Sequence, residues 1–261
     1  MVKRMSESVL RIGVVYPEVL GTYGDTGNAT VLRERAVRRG IPADVTTVSL
    51  ADVIPSDLDI YVLGGGEDTA QALAASRMRD HRGLVEAARL QRPILAICAS
   101  LQVLGERYTD AGGREVEGLG LLDVVTRPRG SRAIGELVEQ PLLPGLTHLL
   151  TGFENHGGGT TLGPDANPLG TVLVGIGNGS VEDSPVADDS SPVLYEGAVQ
   201  GSIVGTYLHG PALVRNPQLA DYLLALALGV NPGELDEIEM PLVERLRKER
   251  LHAVGVEEEI G

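Results

Sequence analysis

The amino-acid sequence predicts an α/β fold with a mostly parallel central sheet and helices on both of its faces. Through the first half of the chain, short apolar runs alternate with helical patterns, which is typical of β-α-β units. The run Pro93–Ile97 shows no alternation of apolar and polar residues, as expected of a parallel strand buried on both faces. Residues from Thr109 to Gly179 are rich in glycine turns and short strand patterns, which indicates antiparallel additions in the middle of the chain.

Each predicted strand is a short apolar run. In chain order the strands are Val9–Tyr16, Val45–Leu50, Ile60–Leu63, Pro93–Ile97 and Ile203–Leu208. The first predicted helix follows the capping residues Asp25 and Thr26 and ends before Gly40. The predicted helices in chain order are Asn28–Arg39, Asp80–Leu90, Ser100–Arg107 and Pro217–Leu228. These elements are expected to form one domain over residues 1–230.

Residues 231–261 are expected to form a C-terminal linker and a charged helix. That helix covers Leu242–Ala253, with Leu242, Leu246 and Ala253 on one side. Two interpretations stay open, a helix packed on its own domain and an element that docks on another protein. Within the domain, the polar, acidic segment Val181–Pro192 is predicted to be a mobile surface loop.

Composition excludes several classes of protein. The formal net charge of −14 argues against binding to nucleic acid or to an anionic membrane surface. No apolar run approaches the roughly 18 residues of a membrane-spanning helix, and Met1–Tyr16 does not have the pattern of a signal peptide. A single cysteine excludes an intramolecular disulfide and a cysteine-rich zinc site. We therefore expect a cytoplasmic protein without a metal site.

The single cysteine lies where a buried strand meets a helix. Cys98 directly follows Pro93–Ile97, and the small residues Ala99 and Ser100 come next. This is the arrangement of a nucleophile elbow, in which a sharp turn exposes a side chain at the carboxyl edge of the sheet. The N–H groups at the start of the helix, beginning with that of Ala99, could hold an oxyanion. Position alone leaves two interpretations open, a nucleophile and a small buried hydrophobe.

Two further features are predicted at the same edge of the sheet. The glycine loop Gly64–Gly66 ends the third strand, where backbone N–H groups can approach a ligand without an intervening Cβ. It is not a phosphate-binding loop, because no Lys-Ser/Thr pair follows at the required spacing. His209 ends the strand Ile203–Leu208 and could accept the thiol proton of Cys98, then return it to a leaving amine.

The other four histidines are less clearly functional. His81 and His252 lie in charged helical patterns, and His148 lies in an apolar, loop-like stretch. These three are interpreted as surface or structural residues. His156 lies in the glycine-rich segment Gly152–Gly158, and its role stays open.

Four segments carry a family resemblance. They are Tyr16-Pro17 with Thr22–Asn28, Leu63–Gln71, Gly152–Gly158 and Gly205–Pro211. Together with Cys98 they resemble the class I glutamine amidotransferase domain, a flavodoxin-like fold, in its cobyric-acid-synthase-like branch. Within that branch they are most similar to the glutaminase subunits of lipid II isoglutaminyl synthases, known as GatD. The similarity covers about residues 10–225 of the 261.

The resemblance implies roles for five residues. Cys98 would attack the side-chain amide carbon of L-glutamine, and His209 would protonate the departing ammonia. The N–H groups of Ala99 and Gly65 would hold the oxyanion. Arg132 matches the family arginine that holds substrate glutamine, which suits the bidentate capture of a carboxylate by a guanidinium group. The alternative for Arg132 is a surface arginine in a basic loop.

The sequence departs from the family pattern at two positions. Ser100 stands where the usual elbow has glycine, and it is expected to narrow the pocket slightly. Pro211 stands where the common triad has the glutamate that orients the histidine, so we predict a Cys98–His209 dyad. The orienting acid would then come from elsewhere, such as a partner protein, and the isolated chain would hydrolyse glutamine poorly.

Ammonia needs an activated acceptor, and the sequence contains no recognisable nucleotide site. The resemblance implies a partner, a MurT-like synthetase subunit of the Mur-ligase family. That partner would bind ATP and Mg²⁺ and convert D-glutamate of the lipid II stem peptide to D-isoglutamine, so no cofactor is expected on this chain. Three alternatives stay open: amidation of a corrinoid, a non-catalytic scaffold with the same fold, and a redox or stress protein with a similar elbow cysteine. The last does not account for His209.

Overall fold

Two sheets organise the fold in the computed structural model, which describes residues 9–110, 112–179 and 193–257. The first elements in chain order are β1 (Leu10–Val15), α1 (Gly27–Arg38), β2 (Ala43–Val48), β3 (Ile60–Leu63), α2 (Asp68–Asp80), α3 (Gly83–Arg89), β4 (Ile94–Ile97), α4 (Ala99–Leu104), β5 (Arg107–Thr109) and β6 (Glu115–Glu117). The following elements are β7 (Val124–Pro141), β8 (Leu150–Leu162), β9 (Gly170–Val174), β10 (Tyr195–Glu196), β11 (Ala198–Gln200), β12 (Ile203–Thr206), α5 (Ala212–Arg215), α6 (Pro217–Leu228) and α7 (Pro241–Ala253).

The central sheet has the strand order β11-β12-β4-β3-β1-β2. All neighbouring strands in it are parallel except β11, which runs antiparallel to β12. Strands β3 and β4 are buried along their whole length, as the apolar run Pro93–Ile97 predicted. Leu63 pairs with Ala96, and Ile97 pairs with Thr206. The register therefore brings the carboxyl ends of β3, β4 and β12 side by side, and the predicted parallel sheet is confirmed.

The second sheet contains a long hairpin formed by β7 and β8. Its strand order is β10-β9-β7-β5-β6, and β8 pairs with β7 outside that order. Its pairings are antiparallel except that between β5 and β7. The hairpin register shifts between Pro128 and Ala133, so residues 129–132 bulge out of the ladder opposite Gly157. This sheet is the antiparallel addition predicted for the middle of the chain.

Two predicted helices differ from the structure. The segment predicted as one helix at Asp80–Leu90 is the end of α2 followed by α3, because the backbone at Gly83 packs directly against the carbonyl of Ile54 and leaves no room for a side chain. The helix predicted at Ser100–Arg107 ends at Leu104. Gly105 is extended, and Arg107 begins β5, so pairing in the second sheet overrides the helical pattern.

The C-terminal helix α7 packs on the domain that precedes it. Its buried residues are Arg247 and Leu251, and Arg247 donates hydrogen bonds to the carbonyl oxygens of Arg215 and Leu149. Leu242, which the sequence places on the apolar side, is 81 % exposed. Of the two interpretations of this helix, the structure confirms packing on its own domain, through a different face from the one predicted. The loop predicted at Val181–Pro192 lies outside the described residues.

In the part of the chain that the structure describes, none of the helices has the length and apolar character needed to cross a bilayer.

Candidate active site

Cys98 sits at the turn between β4 and α4. Its backbone has φ = 51° and ψ = −104°, a conformation that non-glycine residues rarely adopt. The Cys98 N–H donates to the carbonyl of Thr206 at 2.8 Å, which ties the turn to the end of β12. The side chain lines a cavity although the residue is only 9 % exposed. The strained turn presents the sulfur at the carboxyl edge of the sheet, as the predicted elbow requires.

His209 is buried beside the elbow and is held by a carboxylate of this chain. Its Nδ1 lies 2.9 Å from Oδ2 of Asp25, which is itself fully buried. The same carboxylate oxygen accepts the N–H of Gly65 at 2.8 Å. A Cβ on Gly65 would lie 2.7 Å from Cε1 of His209 and 3.5 Å from Cβ of Cys98, so the three groups approach one another only because residue 65 has no side chain.

A carboxylate from elsewhere than position 211 does lie beside His209, as predicted, but it belongs to this chain and not to a partner protein. Pro211 offers no carboxylate, and Asp25 reaches His209 from 184 positions earlier in the chain. Asp25 lies between β1 and α1, after Tyr23 and Gly24, which both have positive φ. The sequence left the role of Asp25 open between a helix cap and an active-site residue, and its side chain does not cap α1. With the acid inside the chain, the expectation of poor glutaminase activity in the isolated subunit loses its basis.

The charge state of His209 follows from its neighbours. Burial lowers the pKa of His209, but the hydrogen bond and charge of Asp25, together with the interaction with Cys98, outweigh burial and raise the pKa to about 9. At neutral pH the ring is therefore an imidazolium. Among the described residues, Nε2 of His209 has no hydrogen-bond partner apart from the interaction with Cys98. Its proton is available to a group leaving from a carbon bound to that sulfur.

The structure corrects the role expected for Gly65. Its N–H is used by Asp25, and Gly65 does not line the cavity. Gly66 and Ala99 line it together with Cys98. Of the two residues expected to supply oxyanion donors, Ala99 therefore lines the cavity and Gly65 does not, whereas Gly66, one residue further along the glycine loop, does.

Ser100 does not narrow the cavity, contrary to expectation. Its hydroxyl is turned away and donates a 2.6 Å hydrogen bond to the carbonyl of Gly64. Ser100 is fully buried and is not part of the cavity wall. The hydrogen bond of Ser100 therefore links the turn at Cys98 to the glycine loop.

The cavity has a volume of about 160 Å³, and its opposite wall comes from the second sheet. Arg132 lies in the bulge of β7, where Nε and Nη2 donate to Oδ1 of Asn155 at 3.1 and 2.8 Å. Asn155 in turn donates to the hydroxyl of Tyr23, whose ring lies edge-on to His209 at 4.9 Å. The structure thus places Arg132 in the same cavity as Cys98 and His209, on a polar chain that leads to the histidine.

A second series of hydrogen-bonded polar side chains runs along the cavity. Gln71 donates to Gln102 at 2.8 Å, and Gln102 donates to the Tyr207 hydroxyl at 3.3 Å. His156 stacks on the Tyr207 ring at 3.7 Å and lines the cavity. Its Nδ1 lies 2.8 Å from the carbonyl oxygen of Gly158, which holds the ring in place. The role of Gln102 could not be predicted from the sequence, because a single glutamine in a helix is not part of any recognisable motif.

The three histidines interpreted as structural, His81, His148 and His252, do not line this cavity. Within the described ranges, no group of three or more His, Cys, Asp or Glu side chains could hold a metal ion. The cavity thus combines the sulfur of Cys98, an imidazolium held by a carboxylate, backbone N–H groups and a guanidinium group. Such a site can support acyl transfer through a covalent thioester.

Comparisons with known proteins agree with this chemistry. The family of CobB/CobQ-like glutamine amidotransferase domains matches residues 11–217. The GatD subunit of lipid II isoglutaminyl synthase (glutamine-hydrolyzing) from Staphylococcus aureus strain N315 is 35% identical over 243 residues, which is 88% of this chain and 93% of that protein. The subunit of the same name from Streptococcus pneumoniae is 32% identical over 245 residues, which is 93% of this chain and 88% of that protein.

More distant similarity extends to other glutamine amidotransferases. Cobyric acid synthase from Brucella melitensis is 32% identical over 200 residues, which is 74% of this chain and 37% of that protein. A crystal structure of a glutamine amidotransferase shares the fold, with a TM-score of 0.51 and 19% identity over 84% of this chain and 99% of that one. The family match covers most of the sequence, and the chain belongs to the CobB/CobQ-like glutamine amidotransferases.

Proposed function

We propose that Cys98 is the nucleophile of a glutaminase reaction and that His209 and Asp25 complete a catalytic triad. The contact that supports this most is the one between the Nδ1 atom of His209 and the buried carboxylate of Asp25, at 2.9 Å. It fixes the ring so that Nε2 is the nitrogen left for the sulfur and the substrate.

The reaction proceeds in two acyl transfers. In the reacting pair, the proton of the Cys98 thiol is carried by Nε2 of His209. The sulfur bonds to the side-chain amide carbon of glutamine, and the carbonyl oxygen becomes an oxyanion held by the N–H groups of Ala99 and Gly66. The proton on Nε2 of His209 passes to the amide nitrogen, and ammonia leaves with the electron pair of the C–N bond. Water then attacks the thioester, gives its proton to His209 and releases glutamate and the sulfur. Arg132 binds the α-carboxylate of the substrate throughout.

We propose further that the ammonia is used in peptidoglycan synthesis. The two relatives that this chain covers almost end to end are named as subunits of lipid II isoglutaminyl synthase. The proposed partner is a MurT-like subunit of the Mur-ligase family in the cytoplasm. It would hold ATP and Mg²⁺, activate the α-carboxyl of D-glutamate in the lipid II stem peptide, and form D-isoglutamine with the ammonia.

Corrinoid amidation is the second candidate. It is less well supported, because the similarity to cobyric acid synthase covers 74% of this chain, whereas that to the two GatD subunits covers 88% and 93%.

The test is to co-express the chain with the Mur-ligase-like protein of the same organism. The purified complex receives lipid II, ATP, Mg²⁺ and glutamine labelled with ¹⁵N at the side-chain amide, and the product is analysed by mass spectrometry. We expect transfer of the label to lipid II. A parallel reaction with a corrinoid acid is expected to give no labelled product.

The control is the complex carrying Cys98→Ala. It is expected to fail with glutamine and to amidate lipid II when ammonium chloride replaces glutamine, because only the first half-reaction is removed. If the wild-type complex forms, hydrolyses glutamine and leaves lipid II unlabelled, the acceptor is wrong. If the variant still uses glutamine, the nucleophile is wrong.

A further inference from the structure

Two buried glutamates lie close to the strand that leads to His209, and the proposed chemistry does not use them. Glu139 on β7 and Glu196 on β10 are both fully buried, and their carboxyl groups interact directly. They meet across β9, where Gly170 lies between the two strands. A Cβ at Gly170 would fall on Oε2 of Glu139, so the glycine leaves the space that the carboxyl pair occupies.

Two carboxylates cannot both stay ionised in contact without water. Burial, followed by the charge of Glu196, raises the pKa of Glu139 well above its usual value. Burial also raises the pKa of Glu196, to about 7, although hydrogen bonds from Tyr207 and Thr206 oppose the shift. Among the described residues, neither carboxyl oxygen of Glu139 has a hydrogen-bond partner. A buried carboxyl without partners is more stable as the neutral acid, so Glu139 is the protonated member of the pair and Glu196 the ionised one.

Glu196, the ionised member of the pair, accepts hydrogen bonds from the residues at the end of β12. Its Oε1 accepts the N–H of Tyr207 at 2.6 Å, and its carboxylate accepts the hydroxyl of Thr206 at 3.0 Å. The Thr206 hydroxyl accepts the N–H of Leu208 at 3.0 Å. Because β12 ends at Thr206, these N–H groups need partners outside the ladder, and Glu196 provides them directly or through Thr206.

The same few residues connect to both reacting groups. The carbonyl of Thr206 accepts the N–H of Cys98 at 2.8 Å. Three residues after Thr206, the N–H of His209 donates to the carbonyl of Phe153 at 2.8 Å. A movement at Thr206 or Tyr207 would therefore displace the elbow and the imidazole together.

We propose that Glu196 is a positioning residue for the catalytic pair, and that the neutral Glu139 beside it allows the Glu196 carboxyl to stay ionised. The residue touches neither Cys98 nor substrate and acts through Thr206 and Tyr207. The activity readout below rests on the proposed glutaminase function, whereas the reactivity and stability readouts do not.

The surroundings predict the direction of the pH dependence. The titratable groups that face Glu196 are Glu139 on β7, Glu154 on β8 with its partner His156, and Tyr207 after β12. Both neighbouring carboxyls repel a second negative charge. Since the folded-state pKa values of the pair are raised, their contribution to stability is complete at acidic pH and is lost as the pH rises through about 7 and above.

The experiment compares Glu139→Gln and Glu196→Gln with wild type and with Glu86→Gln, an exposed glutamate on α3 that serves as the matched control. Each protein is assayed from pH 5.5 to 9.5 for its melting temperature, for the rate of Cys98 alkylation by iodoacetamide, and for kcat and KM with glutamine. Circular dichroism establishes that each variant is folded.

Wild type, the control and Glu139→Gln are expected to lose melting temperature as the pH rises through about 7, whereas Glu196→Gln, which lacks the group with that pKa, is expected to lose much less. Glu139→Gln imitates the neutral acid, so its kcat and alkylation rate are expected to match those of wild type. In Glu196→Gln a charge-assisted hydrogen bond is lost, so kcat and the alkylation rate are each expected to fall about tenfold, with KM within about threefold of wild type.

A folded Glu196→Gln protein with wild-type kcat and alkylation rate at every pH would overturn the positioning role. A fall in kcat and alkylation rate in folded Glu139→Gln as large as that in Glu196→Gln would overturn the neutral state of Glu139. If alkylation slows in Glu196→Gln while the wild-type complex shows no glutaminase activity, the positioning role stands and the proposed function fails.

Discussion

The two walls of the cavity are built in different ways. The wall from the central sheet consists of buried groups at strand ends, and Cys98, His209 and Asp25 are each at most 9 % exposed. The wall from the second sheet presents Arg132, an exposed residue in a bulge that is oriented by the side chain of Asn155. The first wall is held by backbone register and the second by side-chain contacts. We therefore expect changes in the first wall to alter the chemical step and changes in the second to alter substrate binding.

The largest effect is expected for Cys98→Ala. Removal of the sulfur deletes the covalent step, so glutaminase activity should fall by about 10⁴-fold or more. The measurement is ammonia release in the complex, together with labelling by a glutamine-analogue electrophile. Arg132→Ala provides the contrast, since it should slow labelling by the analogue but leave iodoacetamide alkylation near the wild-type rate. Equal losses with both reagents would show that the two walls are not separable.

A smaller effect is expected for Asp25→Asn. Without the carboxylate, the pKa of His209 should fall from about 9 towards or below its ordinary value, because burial is then no longer opposed by that charge. The imidazolium is lost at lower pH, so the alkaline limit of kcat should move to lower pH. At neutral pH, kcat should drop by about 100-fold because the ring loses both its charge and its orientation. Asp44→Asn, an exposed position on β2, is the control.

The same substitution changes the pH dependence of stability. A histidine whose folded-state pKa is raised stabilises the protein fully below its ordinary pKa and loses that contribution as the pH rises through about 9. In wild type, part of the unfolding free energy should therefore disappear between about pH 6.5 and 9. Urea titrations of wild type and Asp25→Asn at several pH values would measure this, and parallel curves for the two proteins would contradict it.

The difference between the walls also explains what the sequence could predict. Cys98 and His209 are recognisable locally, because each follows an apolar strand and the strand direction places both at one edge of the sheet. The contact between Asp25 and His209 joins residues 184 positions apart and depends on the missing side chain of Gly65. No local pattern encodes such a contact. An acidic residue just before a predicted helix suggests a helix cap, and its position in the sequence does not reveal a contact with His209.

One feature was mispredicted and another could not be predicted, because both depend on tertiary contacts. In α7 the apolar spacing points to Leu242, yet the buried residues are Arg247 and Leu251. Arg247 can be buried because the backbone carbonyls of Arg215 and Leu149 accept its guanidinium hydrogen bonds. The second sheet was expected in outline, but the bulge that carries Arg132 depends on pairing with β8 across Gly157. The family resemblance identified Arg132 as a candidate for binding substrate glutamine. The neighbouring sequence alone was equally consistent with a surface arginine in a basic loop.

A moderate effect, confined to binding, is expected for Arg132→Lys. A lysine keeps the charge but loses the planar fork that fits a carboxylate, so KM for glutamine should rise about tenfold with kcat within about threefold. Asn155→Ala should shift KM in the same direction, because Arg132 then loses the acceptor that orients it. Arg127→Ala, an exposed arginine on β7 outside the cavity, is the matched control. A loss of kcat at constant KM would place Arg132 with the reacting groups instead.

The smallest effect on catalysis is expected at Ser100, where the wall from the central sheet departs from the usual glycine. Ser100→Ala removes one buried hydrogen bond to the Gly64 carbonyl, which should lower the unfolding free energy by about 1 kcal/mol. Ser100→Gly should cost about 1 kcal/mol more, because glycine is a poorer helix former than alanine. Since the side chain is outside the cavity, kcat/KM should stay within about threefold of wild type in both variants. A tenfold gain of kcat/KM in Ser100→Gly, with a lower KM, would mean that the serine restricts substrate binding. Its main role would then not be the hydrogen bond to Gly64.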